Sequence, residues 1–437
     1  MQALDANAAI ETLRRQGVHT LLVQFTDVHG VAKGKWLPLE RLPDALAQGA
    51  GFAGPSIAGT GLPRTGPRSE FYARGDAATL RPLPWAPGFA RLIGDGFVDG
   101  QPFDACPRQT LRRAVAALAQ RGWRLRVGIE PEFFLLRRAA DGRLIPADDH
   151  DRLPKPSYDL KALPRQHAVL LPLAQHLAAC GLAIEQTDHE DAHGQYELNF
   201  GAADALTSCD HLMLFKQAAH TLAEREGLVF SMMPKPFADQ PGSGLHMHVS
   251  LWQAGGDALC PTVEPFMAGV LAHSAGLTAL AAPTVNSYKR LTVGESLSGT
   301  TWAPAYVAHG PNNRTALLRT LPGRFEWRLP DAACNPYLAL AGLIAAGLDG
   351  LDRALQPPAP VTDDLFALPL AAIRARGIPL LPQTLSEACD ALQTDAVLTA
   401  ALGETLTREF LALKRDEALA YARHVSHWEH QRYGAVY

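Results

Sequence analysis

The sequence predicts an α+β fold in two domains, and three observations point to it. Segments at 126–135, 244–251 and 324–329 alternate strictly, with charged residues on one face and apolar residues on the other, so they read as half-buried β-strands. Helical spacing appears beside them: after Cys106-Pro107, the residues Leu111, Val115 and Leu118 mark one face of an amphipathic helix. Before that point the chain has a different texture, a hairpin pattern followed by a long Gly/Pro-rich stretch. With 437 residues the chain has ample material for a core, and length alone allows about three domains. The change in texture favours two, at 1–103 and 104–437.

Taken in order, the first element pair is Thr20-Leu-Leu-Val-Gln-Phe, turned back across Asp27-Val-His-Gly. Leu42-Pro-Asp-Ala-Leu-Ala-Gln is helix-like, and Gly49-Ala-Gly-Phe-Ala-Gly after it matches a dinucleotide fingerprint by its letters alone. It follows a helix instead of a strand, so it reads as a loop. In Arg126-Val-Gly-Ile-Glu-Pro-Glu-Phe-Phe-Leu, Glu130 and Glu132 share a face, and Pro131 between them marks an edge or an irregular strand. Glu190 and Glu197 are seven apart and would oppose on one straight strand. The turn-prone Ala192-His-Gly between them can fold a hairpin that brings both inward. In Gly244-Leu-His-Met-His-Val-Ser-Leu, His246, His248 and Ser250 line one face, and Met247, Val249 and Leu251 the other. The alanine-rich stretch 265–283 carries His273, Ser274 and Thr278 and reads as one buried helix, not a membrane span. Arg324-Phe-Glu-Trp-Arg-Leu pairs Glu326 with Arg328 against Phe325, Trp327 and Leu329.

The charged faces define a chemistry. A single Glu-x-Glu is usually a solvated strand face, and a lone histidine is usually structural. Five glutamates and one histidine (Glu130, Glu132, Glu190, Glu197, His246 and Glu326), each on the polar side of a strongly apolar motif, are poorly explained that way. Carboxylates gathered in one cleft repel unless cations lie among them, and two divalent ions supply that charge for phosphoryl transfer. Oxygen ligands with one imidazole favour magnesium, or manganese as its substitute, over zinc. His189-Glu-Asp-Ala-His193 matches a metalloprotease pattern, but that pattern needs a helix, and the neighbouring Asp188, Asp191 and Gly194 indicate a turn. No Walker-type phosphate loop occurs, so a phosphate-bearing substrate would be held by metals, arginines and the sheet.

These motifs resemble the glutamine synthetase family over nearly the whole chain. The resemblance rests on Gly128-Ile-Glu-Pro-Glu-Phe-Phe-Leu, Gly194-Gln-Tyr-Glu, Gly242-Ser-Gly-Leu-His-Met-His, Asn286-Ser-Tyr-Lys-Arg, Asn313-Arg-Thr and Asn335-Pro-Tyr, in that order. It implies a small β-grasp domain followed by a catalytic domain on an open antiparallel β-barrel with flanking helices. It also implies hexameric rings, often doubled, with active sites shared between subunits. Glu132, Glu190 and Glu197 would hold one metal, and Glu130, His246 and Glu326 the other. Arg290 would grip the α-carboxylate of glutamate with Gly242 nearby. Arg314, Arg319 and Arg328 would face the phosphates and the transferred group, as planar guanidinium forks suit. His248 and Ser250 would lie beside the nucleotide. The implied reaction forms γ-glutamyl phosphate from glutamate and ATP, and an amine then displaces phosphate.

Departures from the ammonia-using pattern concern the amine. The family's ammonium-binding aspartate aligns with Ala53, and its flap glutamate, before an Ala-Pro pair, aligns with Trp302. Two carboxylates have become methyl and indole, which favours an alkylammonium through burial and cation–π contact. Glu295, in a flap about six residues longer than usual, can restore one carboxylate or be an ordinary loop charge. Pro241 stands where asparagine is usual near the glutamate amino group. Asp188-His-Glu-Asp-Ala-His-Gly-Gln-Tyr-Glu, Lys155-Pro-Ser-Tyr-Asp and Met233-Pro-Lys-Pro-Phe are most similar to the type III branch that includes γ-glutamylmethylamide synthetases. The family's adenylylated tyrosine aligns with Phe366, so that modification is not expected.

The preferred reading is therefore a glutamate-amine ligase using a small alkylamine. The alternatives are a glutamine synthetase using ammonia and a catalytically silent ring or sensor. A net charge of -4 gives no sign of nucleic-acid binding. Six scattered cysteines fit reduced thiols, and the start Met1-Gln-Ala-Leu-Asp lacks signal-peptide features, so a cytoplasmic location is expected.

Overall fold

A computed structural model describes residues 4–261, 263–294 and 302–437. Strands β1 (Thr20–Thr26) and β2 (Ala32–Pro38) form the expected hairpin, in antiparallel register from Thr20 opposite Pro38 to Thr26 opposite Ala32. The Asp27 side chain closes the turn by accepting from the N–H groups of His29 and Val31, each at 3.0 Å. With β3 (Ala50–Ala53), β4 (Glu70–Gly75) and β5 (Phe89–Val98), they make a sheet in the order β2-β1-β5-β4-β3. β1 and β5 run parallel at its centre. That mixed order is the β-grasp arrangement.

One expectation is corrected here. Residues 50–53, read as a loop, are strand β3, antiparallel to β4. The preceding Gly49 allows it: at φ +90° a Cβ would lie 2.7 Å from the Ala73 carbonyl oxygen, so the chain enters the sheet where other residues would clash.

The second sheet contains β6 (Trp123–Arg138), β7 (Ile184–His189), β8 (Gln195–Asp204), β9 (Leu245–Gln253), β10 (His309–Pro311), β11 (Leu318–Leu321) and β12 (Arg324–Trp327). Its order is β7-β8-β6-β9-β12-β11-β10, antiparallel except for β10 with β11, and it curls into a nearly closed barrel. Parity sorts the faces as the sequence implied: Val127, Ile129, Met247, Val249, Phe325 and Trp327 are each at most 1% exposed. Helices α1 (Pro107–Gln120) and α2 (Ala205–Arg225) pack on β6, and α5 (Pro336–Asp352) packs on both. Pro107 starts α1, and Leu111 and Leu118 are fully buried.

Two polar clusters bind the N-terminal sheet to the barrel. Arg108 makes a bidentate pair with Asp210 at 2.9 and 2.7 Å and also reaches Asp76 and Asp95. Tyr337 donates to the same Asp210 carboxylate at 2.8 Å. Asn335 caps α5 through its side-chain oxygen, while its amide donates to the Asp27 carbonyl across the chain at 2.9 Å. Asn335-Pro-Tyr is thus a cap, a first-turn proline and a tether.

The stretch 265–283 is also corrected: it forms two helices, α3 (Glu264–Ala272) and α4 (Ser274–Ala281), broken at His273. His273 leaves the helical region because its ring bridges two carboxylates, Asp395 at 2.7 Å and Asp349 at 3.1 Å. Among the described residues no helix is long and apolar enough to cross a membrane.

Hydrogen bonding to Asp395, against the cost of burial, raises the His273 pKa. A raised histidine pKa stabilises the fold fully below the unfolded value, about 6.5, and the contribution fades as pH rises through the folded value. His273→Gln should therefore destabilise by about 1–3 kcal/mol near pH 5.5 and by less near pH 9. Urea melts at both pH values test this, and an equal loss at both would show that no charge is involved.

Candidate active site

The barrel register assembles the predicted residues in one row. Glu197 on β8 stands directly opposite Glu132 on β6. Glu130 on β6 stands opposite His246 on β9, and His248 on β9 opposite Glu326 on β12. Arg319 on β11 then pairs with Glu326. Pro131 does not put β6 at an edge, since β8 and β9 flank it. The strand is irregular close by: its register with β8 shifts between Ile129 and Val127, opposite Phe200 and Ala203. Glu190 arrives through the expected hairpin, its N–H donating to the Gln195 carbonyl at 3.0 Å where β7 turns into β8. The helix required by the metalloprotease pattern is absent here. His189 is fully buried on β7 against Asp151 at 2.7 Å, and His193 bonds the Leu153 carbonyl.

The electrostatics follow from this crowding. Burial, then the charges of Glu132 and Asp191, push the Glu190 carboxyl well above the usual range. Burial, with Glu132 and Glu190, does the same to Glu197. Burial would also raise Glu130 and Glu326, but their partners win. Hydrogen bonds from His246 and His248 hold Glu130 low, and His246, Arg328 and Arg319 hold Glu326 low. Glu132 is anchored by the Gly244 N–H at 2.7 Å and the Gln195 amide at 3.1 Å.

Two histidines compete as ligands. Glu130, His248 and Glu326 offer atoms within 4.8 Å of one another. Arg324 Nε, however, donates to His248 Nδ1 at 3.1 Å, which places the ring proton on Nε2, where it is donated to Glu130 at 2.9 Å. His246 Nδ1 instead lies 3.7, 3.8 and 3.5 Å from Glu130, Glu132 and Glu326. With that tautomer His246 is the better imidazole ligand. Carboxylates pushed towards their protonated forms by burial and by one another, beside one imidazole, fit hard divalent cations such as magnesium or manganese.

A cleft of about 580 Å³ contains the five glutamates, both histidines, Arg314, Arg319 and Arg328. Arg319 bonds Glu326 at 2.9 Å and Asn312 at 2.9 and 2.7 Å. Arg328 bonds Glu326 and the Trp302 carbonyl, the latter at 3.0 Å. Its Nε–H is buried with no acceptor among the described residues, a donor available to an oxyanion. A smaller pocket of about 50 Å³ adjoins the cleft, lined by Arg290, Gly242, Gly244, Pro241 and Lys235 together with Glu132 and Glu190. Arg290 is held there by the Leu329 and Arg328 carbonyls at 3.1 and 3.3 Å.

Not every predicted residue joins them. Ser250 accepts from Trp252 Nε1 at 2.8 Å and does not line the cleft. Ala53 lies exposed at the end of β3 opposite Glu70, away from the cleft of its own chain. Glu295 falls outside the described residues. Trp302 lines both cavities, and its Nε1 donates to Asp191 at 2.5 Å. Asp191, Ser157 and Tyr158 also line the cleft. They lie in the Asp188-His-Glu-Asp and Lys155-Pro-Ser-Tyr-Asp segments that carry the type III likeness, but strand parity gave none of them a role in the site. Phe366 packs on Tyr306 at 6.0 Å and has no hydroxyl to modify.

Gly244 sits where three of these groups meet: a Cβ there would lie 2.7 Å from His246 Nε2 and 3.0 Å from both Arg290 Nη2 and Glu132 Oε1. A divalent ion at about 100 times its Kd should stabilise the wild type by about 2.7 kcal/mol. Gly244→Ala should fold yet lose most of that gain, as read by thermal melts with and without Mg²⁺ or Mn²⁺. An undiminished gain would mean that the three groups have room to adjust.

Comparison with known proteins agrees with this geometry. Residues 104–433 match the glutamine synthetase catalytic domain. The glutamate–methylamine ligase of Methyloversatilis universalis is 45% identical, over 98% of this chain and 99% of that protein. A glutamine synthetase of Rhizobium leguminosarum bv. phaseoli is 37% identical over 95% and 96%. A solved GmaS/ADP complex superposes with a TM-score of 0.90 at 37% identity, covering 97% of this chain and 98% of that one. The chain belongs to the glutamine synthetase family.

Proposed function

We propose that this protein is an ATP-dependent ligase that joins glutamate to a small alkylamine through a γ-glutamyl phosphate intermediate. One observation carries the reading: a cleft of carboxylates and arginines opens directly into a pocket walled by Arg290 and Trp302. The likeness to a glutamate–methylamine ligase and to a GmaS/ADP complex supports it.

The γ-carboxylate of glutamate attacks the γ-phosphorus of ATP, releasing ADP and forming an acyl phosphate. The bound alkylammonium first gives one proton to solvent; the free amine nitrogen then attacks the acyl carbon, the C–O bond to phosphate breaks, and the departing phosphate takes the nitrogen's extra proton. Arg290, buried at the pocket wall, presents a fixed positive fork to the α-carboxylate, with Gly242 leaving room beside it. Arg314, Arg319 and Arg328 face the phosphates, where they neutralise charge on the transferred oxygens. Arg319 and Arg328 are pre-positioned by Glu326 and need little reorganisation. His248 lies beside the nucleotide, oriented by Arg324. Glu132, Glu190 and Glu197 would hold one magnesium or manganese ion, and Glu130, His246 and Glu326 a second, supplying charge neutralisation and in-line alignment of the phosphates. The Trp302 indole shields the acyl phosphate from water and gives the amine an apolar wall.

Ala53 would reach a cleft only from a neighbouring subunit, which supports a homo-oligomeric ring with shared sites. The free cysteines are consistent with a cytoplasmic enzyme. The small domain would end near residue 103.

Phosphate release with ATP, glutamate and Mg²⁺ tests the reading. Methylamine or ethylamine should exceed ammonia in kcat/KM, whereas preference for ammonia would make the protein a glutamine synthetase. Glu326→Ala should lower kcat by about 100-fold or more, since it removes a ligand and frees two arginines. Retained turnover would sink the assigned cleft. Trp302→Glu should shift preference towards ammonia by about tenfold, because a charged acceptor of hydrogen bonds then stands in place of an apolar wall. An unchanged preference ratio would remove Trp302 from the amine pocket.

A further inference from the structure

A third cavity, of about 190 Å³, adjoins the other two. Its wall is formed by Pro156, Pro241 and Trp302, with Asp191 and Asp239 as anions and Lys155 as a cation. None of the proposed metal ligands and neither Arg290 nor the phosphate-facing arginines line it. Asp191 and Trp302 are common to all three cavities, so they stand where the small pocket, the metal cleft and this third space meet.

Asp191 is held firmly there. Its Oδ2 accepts from Trp302 Nε1 at 2.5 Å, its Oδ1 accepts from the Ser157 hydroxyl, and its own N–H donates to Glu190 Oε2 at 3.2 Å. Each carboxylate oxygen has two lone pairs, so both retain an acceptor site after these bonds. The carboxylate is therefore oriented without being exhausted. Proline rings and an indole face complete a surface that favours an alkylammonium, whose alkyl group it buries, over a small cation that would keep its hydration shell.

Resting on the ligase reading above, we infer that Asp191 is the carboxylate that binds the ammonium group of the acceptor, and that the proline–indole cavity beside it receives the alkyl group. This answers the loss of carboxylates at positions 53 and 302 from within the described chain. Asp191 is itself part of the wall of the glutamate pocket, beside Glu190, so an amine held there is brought next to the bound glutamate. The indole that replaces one lost carboxylate orients the new one.

Asp191→Asn tests this with little change of shape: the amide oxygen still accepts from Trp302, the amide N–H can donate to the Ser157 hydroxyl oxygen in place of the bond Oδ1 now receives, and the negative charge is lost. The readout is steady-state turnover of the full enzyme with ATP, glutamate and Mg²⁺, using ethylamine and, separately, hydroxylamine, which is uncharged at neutral pH. Ethylamine kcat/KM should fall roughly 10- to 100-fold, chiefly through KM, the loss of one charge-assisted hydrogen bond. Hydroxylamine turnover should fall less, so that the ethylamine-to-hydroxylamine ratio of kcat/KM drops about tenfold or more. Equal losses with ethylamine and hydroxylamine would make Asp191 merely structural, and unchanged ethylamine kinetics would remove it from the site; either overturns the inference. If the wild type uses ammonia in preference to any alkylamine, the acceptor reading fails on its own. Ammonium against hydroxylamine then decides Asp191 by the same selective loss or its absence.

Discussion

Five carboxylates confined in one partly buried cleft cannot all be charged without cations among them, and much of this structure follows from that constraint. Glu326 is compensated by two arginines and Glu130 by two histidines. Among the described residues Glu190 and Glu197 have no such partner, and burial and their neighbours push them towards their protonated forms. The asymmetry separates a half of the cleft neutralised by side chains from a half whose charge awaits a cation. It also explains why the pairs are set by strand register. Opposite residues on adjacent strands are held at a fixed spacing, whereas a slip of one residue would turn an entire charged face into the core.

Strand parity made most of this legible in the sequence, because each motif has a polar and an apolar face and a sheet preserves that distinction. Glu130, Glu132, His246, His248 and Glu326 meet in the cleft as parity implies. The hairpin joining Glu190 to Glu197 was legible from turn residues alone. What failed to show in the sequence depends on distant partners. The break at His273 is caused by Asp349 and Asp395, far along the chain, and local apolar character conceals it. Strand β3 exists because β4 is available to pair, while its glycines resemble a loop. Asp191 stays hidden because a turn beside a ligand offers an innocuous explanation for any aspartate. Its hydrogen bond with Trp302 spans 111 residues.

The N-terminal sheet is coupled to the barrel through polar groups instead of apolar packing alone. Arg108, 2% exposed, satisfies three aspartates from both parts of the chain. Removing any one partner would leave a buried charge short of compensation, which costs far more than the pair itself contributes. Such clusters fix relative orientation. Orientation matters if Ala53 and its neighbours are to complete the cleft of another subunit, since a shared site tolerates little rotation of one sheet against the other.

If the proposed roles hold, amine choice and phosphoryl transfer are mechanically linked through Trp302. Its main-chain carbonyl accepts from Arg328, which pairs with Glu326, while its indole N–H is bonded to Asp191, which Ser157 holds from the other side. One residue therefore connects the arginine facing the phosphates to the carboxylate facing the third cavity. Any change in indole position moves the Asp191 carboxylate, and any shift in its backbone disturbs the Arg328 guanidinium. Widening the amine pocket by altering the segment around residue 302 would thus disturb the phosphorylating cleft as well. A change at Pro241, on the opposite wall, acts on the third cavity without belonging to that chain of hydrogen bonds, whereas Pro156 adjoins Ser157 and so its link to Asp191; acceptor size is more readily tuned at Pro241.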